Sequence, residues 1–241
     1  MPLTTSGRPT RPSTPADRPL PVVIQGGMGV AVSSWRLAQA VSRTGQLGVV
    51  SGTALDVVIA RRLQDGDVDG AVRRALAHFP VPAMAQRMLD RYFVEGGRAP
   101  GQPYHPVPKL GMDTSVAGLE LSVVAYFAEV WLAKEGHDGV VGINFLEKVQ
   151  MATPSAAYGA MLAGVDYVLM GAGIPSEIPR LLDRLALHEP GLLNLHVDGS
   201  TAAYTVGLDP LELGNQSFPD FVTAQLRFWT AAARDAGIKA E

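Results

Sequence analysis

The stretch Pro21–Thr53, PVVIQGGMGVAVSSWRLAQAVSRTGQLGVVSGT, constrains the fold more than any other part of the chain. Val22–Ile24 is a short β-branched run, the pattern of a strand buried on both faces. Gln25-Gly26-Gly27-Met28-Gly29 follows directly, and glycines there let backbone approach a flat or anionic ligand with no Cβ between. Ser33 or Ser34 is placed to cap a helix in which Leu37, Ala38 and Val41 share one face, and Gly45 closes it. Leu47–Val50 is a second buried run, ended by Ser51-Gly52-Thr53. The whole reads as a βαβ unit with ligand-accommodating turns at the carboxyl ends of both strands. Parallel α/β proteins carry their sites at that end.

The bulk numbers narrow the partners. A chain of 241 residues suits one α/β domain. The net charge is −3, and the basic pairs Arg61-Arg62 and Arg73-Arg74 fit solvated helix faces, so nucleic acid is not an expected partner. Cysteine is absent, which excludes disulfides, Cys nucleophiles and Cys-ligated metals and suits a reducing cytoplasm. No apolar run is read as approaching the roughly 18 residues of a membrane span, so no membrane is expected. Residues 1–20 carry Arg8, Arg11 and Arg18 among Pro, Ser and Thr without an apolar segment, and read as a disordered tail, not a signal peptide.

Further along, Leu55, Val58, Ile59 and Leu63 mark a helix, Val72, Leu76 and Phe79 another, and Ala83–Val94 a third. Gly96–Pro108 is Gly- and Pro-rich and irregular. Leu119–Lys134 returns to helical spacing through Val123, Val124, Phe127, Val130 and Trp131. Residues 65–136 therefore read as a helical insertion between the second and third strands. Gly139–Ile143 is the next strand, with Asn144–Lys148 at its carboxyl end. Ser155 is placed to cap a helix holding Tyr158, Met161 and Leu162. Val165–Met170 is a strand leading into Gly171-Ala172-Gly173, followed by a helix through Ile178, Leu181, Leu182 and Leu185 with Ser176 at its start. Leu192–Val197 is a fifth strand. Residues 200–241 comprise the loop-like Ser200–Gln216 and an amphipathic stripe of Phe218, Phe221, Val222, Leu226 and Trp229. Strands alternating with helices over 21–199 predict an α/β, TIM-barrel-type parallel array, with about five strands where a closed barrel has eight.

Each Gly-rich turn alone is explained by tight βα geometry, and the spacing is not that of a dinucleotide fingerprint. Their recurrence after four strands points to a planar heterocycle held largely by backbone. In addition, IQGGMGV, GVVSGTALD, VGINFLEK and DYVLMGAGIP, in that order over about Pro21–Val197, resemble the nitronate monooxygenase (2-nitropropane dioxygenase-like) family of FMN-dependent TIM-barrel oxidoreductases. The resemblance implies FMN as cofactor, with Gln25, Gly26, Gly27 and Met28 against the isoalloxazine ring and Gly52 and Asn144 at its edge. Lys148 would be a further flavin or substrate contact, and Gly171, Ala172 and Gly173 would line the substrate side. A branched side chain at Gly27 would then block the ring while leaving much of the fold intact.

The Gly-Gly-His motif carrying that family's catalytic base, and its phosphate-binding Gly-rich loops, have no counterpart here. Of His78, His105, His137, His188 and His196, His196 is the best placed to substitute, although a structural histidine is the readier account of it. The catalytic residue thus stays unassigned. The chain reads as the amino-terminal portion of such an enzyme, whose unclosed sheet favours a homo-oligomer or a partner supplying strands. Two alternatives remain open: an FMN-dependent enoyl reductase of fatty-acid or polyketide pathways, and a catalytically impaired fragment that needs a partner. Asp65, Asp67 and Asp69 alternate like a metal loop but lack the acidic residue an EF-hand requires, and read as a solvated turn.

Overall fold

The computed structural model describes residues 20–195, 197, 199–213 and 223. The tail ahead of Leu20, His196 and the Phe218–Trp229 stripe therefore lie outside the described residues. The chain is a mixed α/β structure built on a three-stranded parallel sheet, β1 (Gly48–Ser51), β2 (Val141–Leu146) and β3 (Tyr167–Gly171), in that spatial order. Gly48 pairs with Val141 and Ser51 with Asn144, while Asn144 and Leu146 pair with Leu169 and Gly171. Asn144 is thus inside β2, where the sequence had placed it in the turn.

Val22–Ile24 departs from its expected burial. It lies parallel to the start of β1 by one bridge, Ile24 to Leu47, held by Leu47 N donating to Val23 O and Gln25 N to Leu47 O. Its side chains are exposed, Val22 at 90% and Ile24 at 56%. Two hydrogen bonds from the Val22 and Val23 amides to Gln46 Oε1 hold it as a sheet margin, where the β-branched pattern had suggested a buried strand.

The helices are α1 (Trp35–Ser42), α2 (Leu55–Gln64), α3 (Ala71–Leu76), α4 (Pro82–Tyr92), α5 (Val116–Lys134), α6 (Thr153–Leu162) and α7 (Ile178–Ala186). Residues 65–136 contain α3, α4 and α5 and, among the described residues, no strand. An insertion suggests periphery, yet α5 is central. It contacts α1, α2, α3, α4, α6, β1 and β2, and nearly every residue from Glu120 to Ala133 is buried. The helical spacing read over Leu119–Lys134 is borne out, and the helix is apolar on all sides because it is enclosed on all sides. By length and hydropathy α5 passes as a membrane-crossing segment, but 78% of its apolar window is buried within the protein. Its charges are paired: Glu129 with Arg62 at 2.5 Å, and Glu120 with Arg87 at 2.6 Å.

Glu129 also settles how α1 begins. Neither expected serine caps it in the usual way: Ser34 occupies the N-cap position without a side-chain bond. Instead Trp35 N donates to Glu129 Oε1 at 2.8 Å, so a buried carboxylate from α5 satisfies an amide that a helix start leaves open. Ser155 lies inside α6, bonded to Ser122 Oγ, and α7 starts after Glu177.

The expected fifth parallel strand is corrected. β4 (Gly191–Leu195) pairs antiparallel with β5 (Tyr204–Leu208) in a separate two-stranded sheet packed on α6 and α7. Residues 200–216, expected as loop, thus contain β5 and a short 3-10 turn at Pro210–Glu212. β4 alternates buried and exposed side chains, the signature of a half-covered hairpin rather than of a strand inside a parallel sheet.

Candidate functional site

The carboxyl ends of the three parallel strands converge on one residue. Asn144 Nδ2 donates to Gly26 O at 2.6 Å and approaches Met28 Sδ at 3.4 Å, tying the first Gly-rich turn to β2. Asn144 O accepts from Gly52 N at 2.8 Å, tying in the turn after β1. One residue beyond β2's pairing with β3, Glu147 N donates to Gly171 O at 2.9 Å. All four turns singled out in the sequence are therefore neighbours.

The first turn is internally locked. Gln25 Oε1 accepts from Val49 N at 2.9 Å, and Gln25 Nε2 donates to Ser33 Oγ at 2.9 Å. Met28 N also donates to Ser33 Oγ, at 3.0 Å. The Gln25 amide is thus committed to shaping the turn, and Ser33, expected as a helix cap, is the pin that holds it. The turns also store strain: Ala31, Ala54 and Ala172 all sit at positive φ, a region costly for a residue with a Cβ.

The glycines divide into two kinds. Gly27 is buried at φ +68°, and a Cβ there would stand 2.4 Å from Val49 Cγ1 and 3.0 Å from Asn144 Cβ. Gly52 is likewise enclosed by Phe145. Protein therefore fills the space that the sequence reading had reserved for a ring above Gly27. By contrast Gly26 is exposed, with nothing nearer its missing Cβ than Met28 Cγ at 3.9 Å, and Gly171 has only Asn144 Oδ1 at 3.8 Å. Met28 is 55% exposed, and Ala172 and Gly173 are exposed, Gly173 beside the Glu147 carboxylate. The accessible surface therefore comprises Gly26, Met28, Asn144 and Gly171–Gly173.

One polar atom on that surface lacks a partner: Asn144 Oδ1 is buried and accepts no hydrogen bond. An unsatisfied buried acceptor costs about 1–3 kcal/mol, so its persistence calls for a donor supplied from outside the chain. A planar group with an edge N–H would meet that requirement, and Gly26 and Gly171 set no side chain beside the amide. The ring of FMN fits these residues. No phosphate-binding Gly-rich loop accompanies them in the sequence.

Beside this surface opens a chamber of about 540 Å³. Thr53 and Ala54 after β1, Lys148–Ala152 after β2, and the Val107–Leu110 segment form its walls, with Asp56, Val57 and Tyr126 completing it. Lys148 and Lys109 are exposed at its edge. The Tyr126 hydroxyl donates to Gly52 O at 2.9 Å, and burial pushes its pKa well above the ordinary phenol value. Asp56 is 7% exposed, and burial raises its carboxyl pKa, partly offset by its own amide and that of Val57. Asp56, Tyr126 and Lys109 escaped the sequence reading. Only the position of Asp56 at the start of a helix directly after Ser51-Gly52-Thr53 could have signalled it.

Compared with family models, curated proteins and solved structures, the chain matches none.

Proposed function

We propose that this protein holds the ring of FMN on the Gly26, Met28, Asn144 and Gly171–Gly173 surface and oxidises alkyl nitronates with dioxygen. We propose also that its three parallel strands belong to a TIM-barrel-type array. The observation that carries the reading is the convergence of four strand-end turns on Asn144, whose buried Oδ1 awaits a donor. A bound flavin would supply the redox chemistry between nitronate and dioxygen; the protein supplies orientation and environment.

The roles of the chain's own residues follow from their positions. Gln25 and Ser33 keep the first turn rigid, so the ring surface is preorganised. Asn144 orients the ring edge. Val57, Val107, Leu110 and Met151 offer an alkyl group an apolar wall, and Lys109 and Lys148 at the edge favour the anionic end of a nitronate. Without charge-assisted phosphate contacts, each worth about 1.5–3 kcal/mol, affinity rests on the ring alone.

Titration with FMN and with lumiflavin, which lacks ribityl phosphate, followed by visible absorbance, tests this. Similar affinities for the two support a ring-centred site; binding of neither overturns the reading. Oxygen uptake with 2-propylnitronate then tests the reaction. Consumption of NADPH with an enoyl thioester, and none of the nitronate, would replace it with an enoyl reductase.

A further inference from the structure

Between α4 and the first two turns of α5 lies a second opening, a cleft of about 370 Å³ that shares no lining residue with the chamber. Its size falls in the range of about 300–1,000 Å³ usual for small-molecule sites. Met84, Met88 and Tyr92 recur every four residues along α4 and so share one stripe of that helix. With Leu121 of α5 they give the cleft a buried, largely apolar floor. Arg87 and Arg91 keep the same spacing on the neighbouring stripe and are exposed along the cleft.

The two arginines differ in what they already hold. Arg87 grips Glu120 through Nε at 3.0 Å and Nη2 at 2.6 Å, so that pair is internally neutral. Asp90, the other carboxylate on the cleft, accepts from Gln86 Nε2 at 2.7 Å. Arg91 forms no ion pair among the described residues; its guanidinium lies 5.6 Å from the centre of the Tyr92 ring. Tyr92 is 2% exposed, and its hydroxyl is buried with no hydrogen-bond partner. Burial raises the Tyr92 pKa, an effect Arg91 partly offsets and Asp56 reinforces, so the hydroxyl keeps its proton and remains a donor. A buried donor without an acceptor is costly, and here it stands beside an uncommitted cation.

We propose that this cleft binds a small amphipathic carboxylate, its alkyl chain on the Met84, Met88 and Leu121 floor and its anionic end taken by Arg91 and the Tyr92 hydroxyl. Unbranched, polarisable methionine side chains adapt to chains of differing shape. Ala117, also on the cleft, lies in the first turn of α5, where the helix dipole favours an anion. The inference goes beyond the flavin reading and does not depend on it.

The test titrates the full chain, without flavin, with octanoate, 1-octanol and acetate by calorimetry. Octanoate should bind one to one, with octanol and acetate at least about tenfold weaker, since each lacks one half of the recognition. Tyr92→Phe keeps the ring and removes the hydroxyl; it should weaken octanoate about tenfold, the scale of one hydrogen bond to a charged group, and leave the urea midpoint no lower than wild type. Arg91→Gln, at an exposed position, should weaken octanoate by a similar factor, and Ala117→Trp should fill the cleft and abolish binding. No saturable octanoate binding, octanol as tight as octanoate, or affinity unchanged by Ala117→Trp overturns the proposal. So does a Tyr92→Phe variant that folds and binds like wild type. Should Tyr92→Phe not fold, Arg91→Gln decides: weakened binding supports the site, and unchanged binding refutes it.

Discussion

The two faces of the parallel sheet are built from the same three strands to opposite ends. On one face Val50, Val141, Ile143 and Phe145 join the core with α1, α5 and α6. On the other, Leu47, Val49 and Val140 form a thin cluster, with Tyr167 and Leu169 only partly buried against it. The glycines repeat the contrast. A Cβ at Gly48 would stand 1.9 Å from Ala38 O, and one at Gly159 2.2 Å from Val123 O, whereas Gly26 and Gly171 face space. The same residue type serves close packing on the helical side, and at Gly27, but access at Gly26 and Gly171. A glycine in a sequence says that room is needed, not whether protein or ligand takes it.

That contrast is easiest to break on the helical side. Gly159→Val sets a branched side chain into the backbone of α5 where α6 crosses it, and overpacking of this kind costs about 1–3 kcal/mol, and more where backbone blocks the way. Loss of a cooperative urea transition is expected, and a variant as stable as wild type would show that α5 and α6 can separate freely. Asn144→Ala sits at the boundary. It removes the bond to Gly26 O, so stability should fall by about 1 kcal/mol and ring binding about tenfold, read by denaturation and flavin titration on one preparation. Gly26→Ala should have the smallest effect on the fold, within about 0.5 kcal/mol, because its φ is not left-handed and its Cβ meets nothing closer than 3.9 Å. It should still weaken lumiflavin binding measurably. Equal flavin affinity for Gly26→Ala and wild type would place the ligand elsewhere.

The sequence showed the open face more clearly than the closed one. Turns announce themselves through Gly, Ser and Asn, and the four around Asn144 were found from residue type and order alone. Why they meet was not visible, because Ser33 and Asn144 act across 8 and 118 residues of sequence separation. Val22–Ile24 misled because β-branching reports a fit to a pleated surface, not its burial. β4 misled because a five-residue apolar run is equally a parallel core strand or half of a hairpin, and its partner β5 lies in a stretch rich in turn residues. α5 was read as a helix, but its central place was not legible, because enclosure on all sides leaves no one-sided stripe to show which face meets the core. Asp56 was overlooked because a carboxylate in the first turn of a helix is ordinary, and only the chamber beside it is not.

The enclosure of α5 has a consequence for how the protein comes into being. Of the helices, α6 packs on α5 most extensively, and it begins 19 residues after α5 ends, beyond β2. During synthesis from the amino terminus, a 19-residue segment with membrane-like hydropathy emerges before the surface that finally shelters it exists. In that interval the nascent chain exposes an apolar segment for which, of its final partners, Arg62 and Arg87 for Glu129 and Glu120 have already been made.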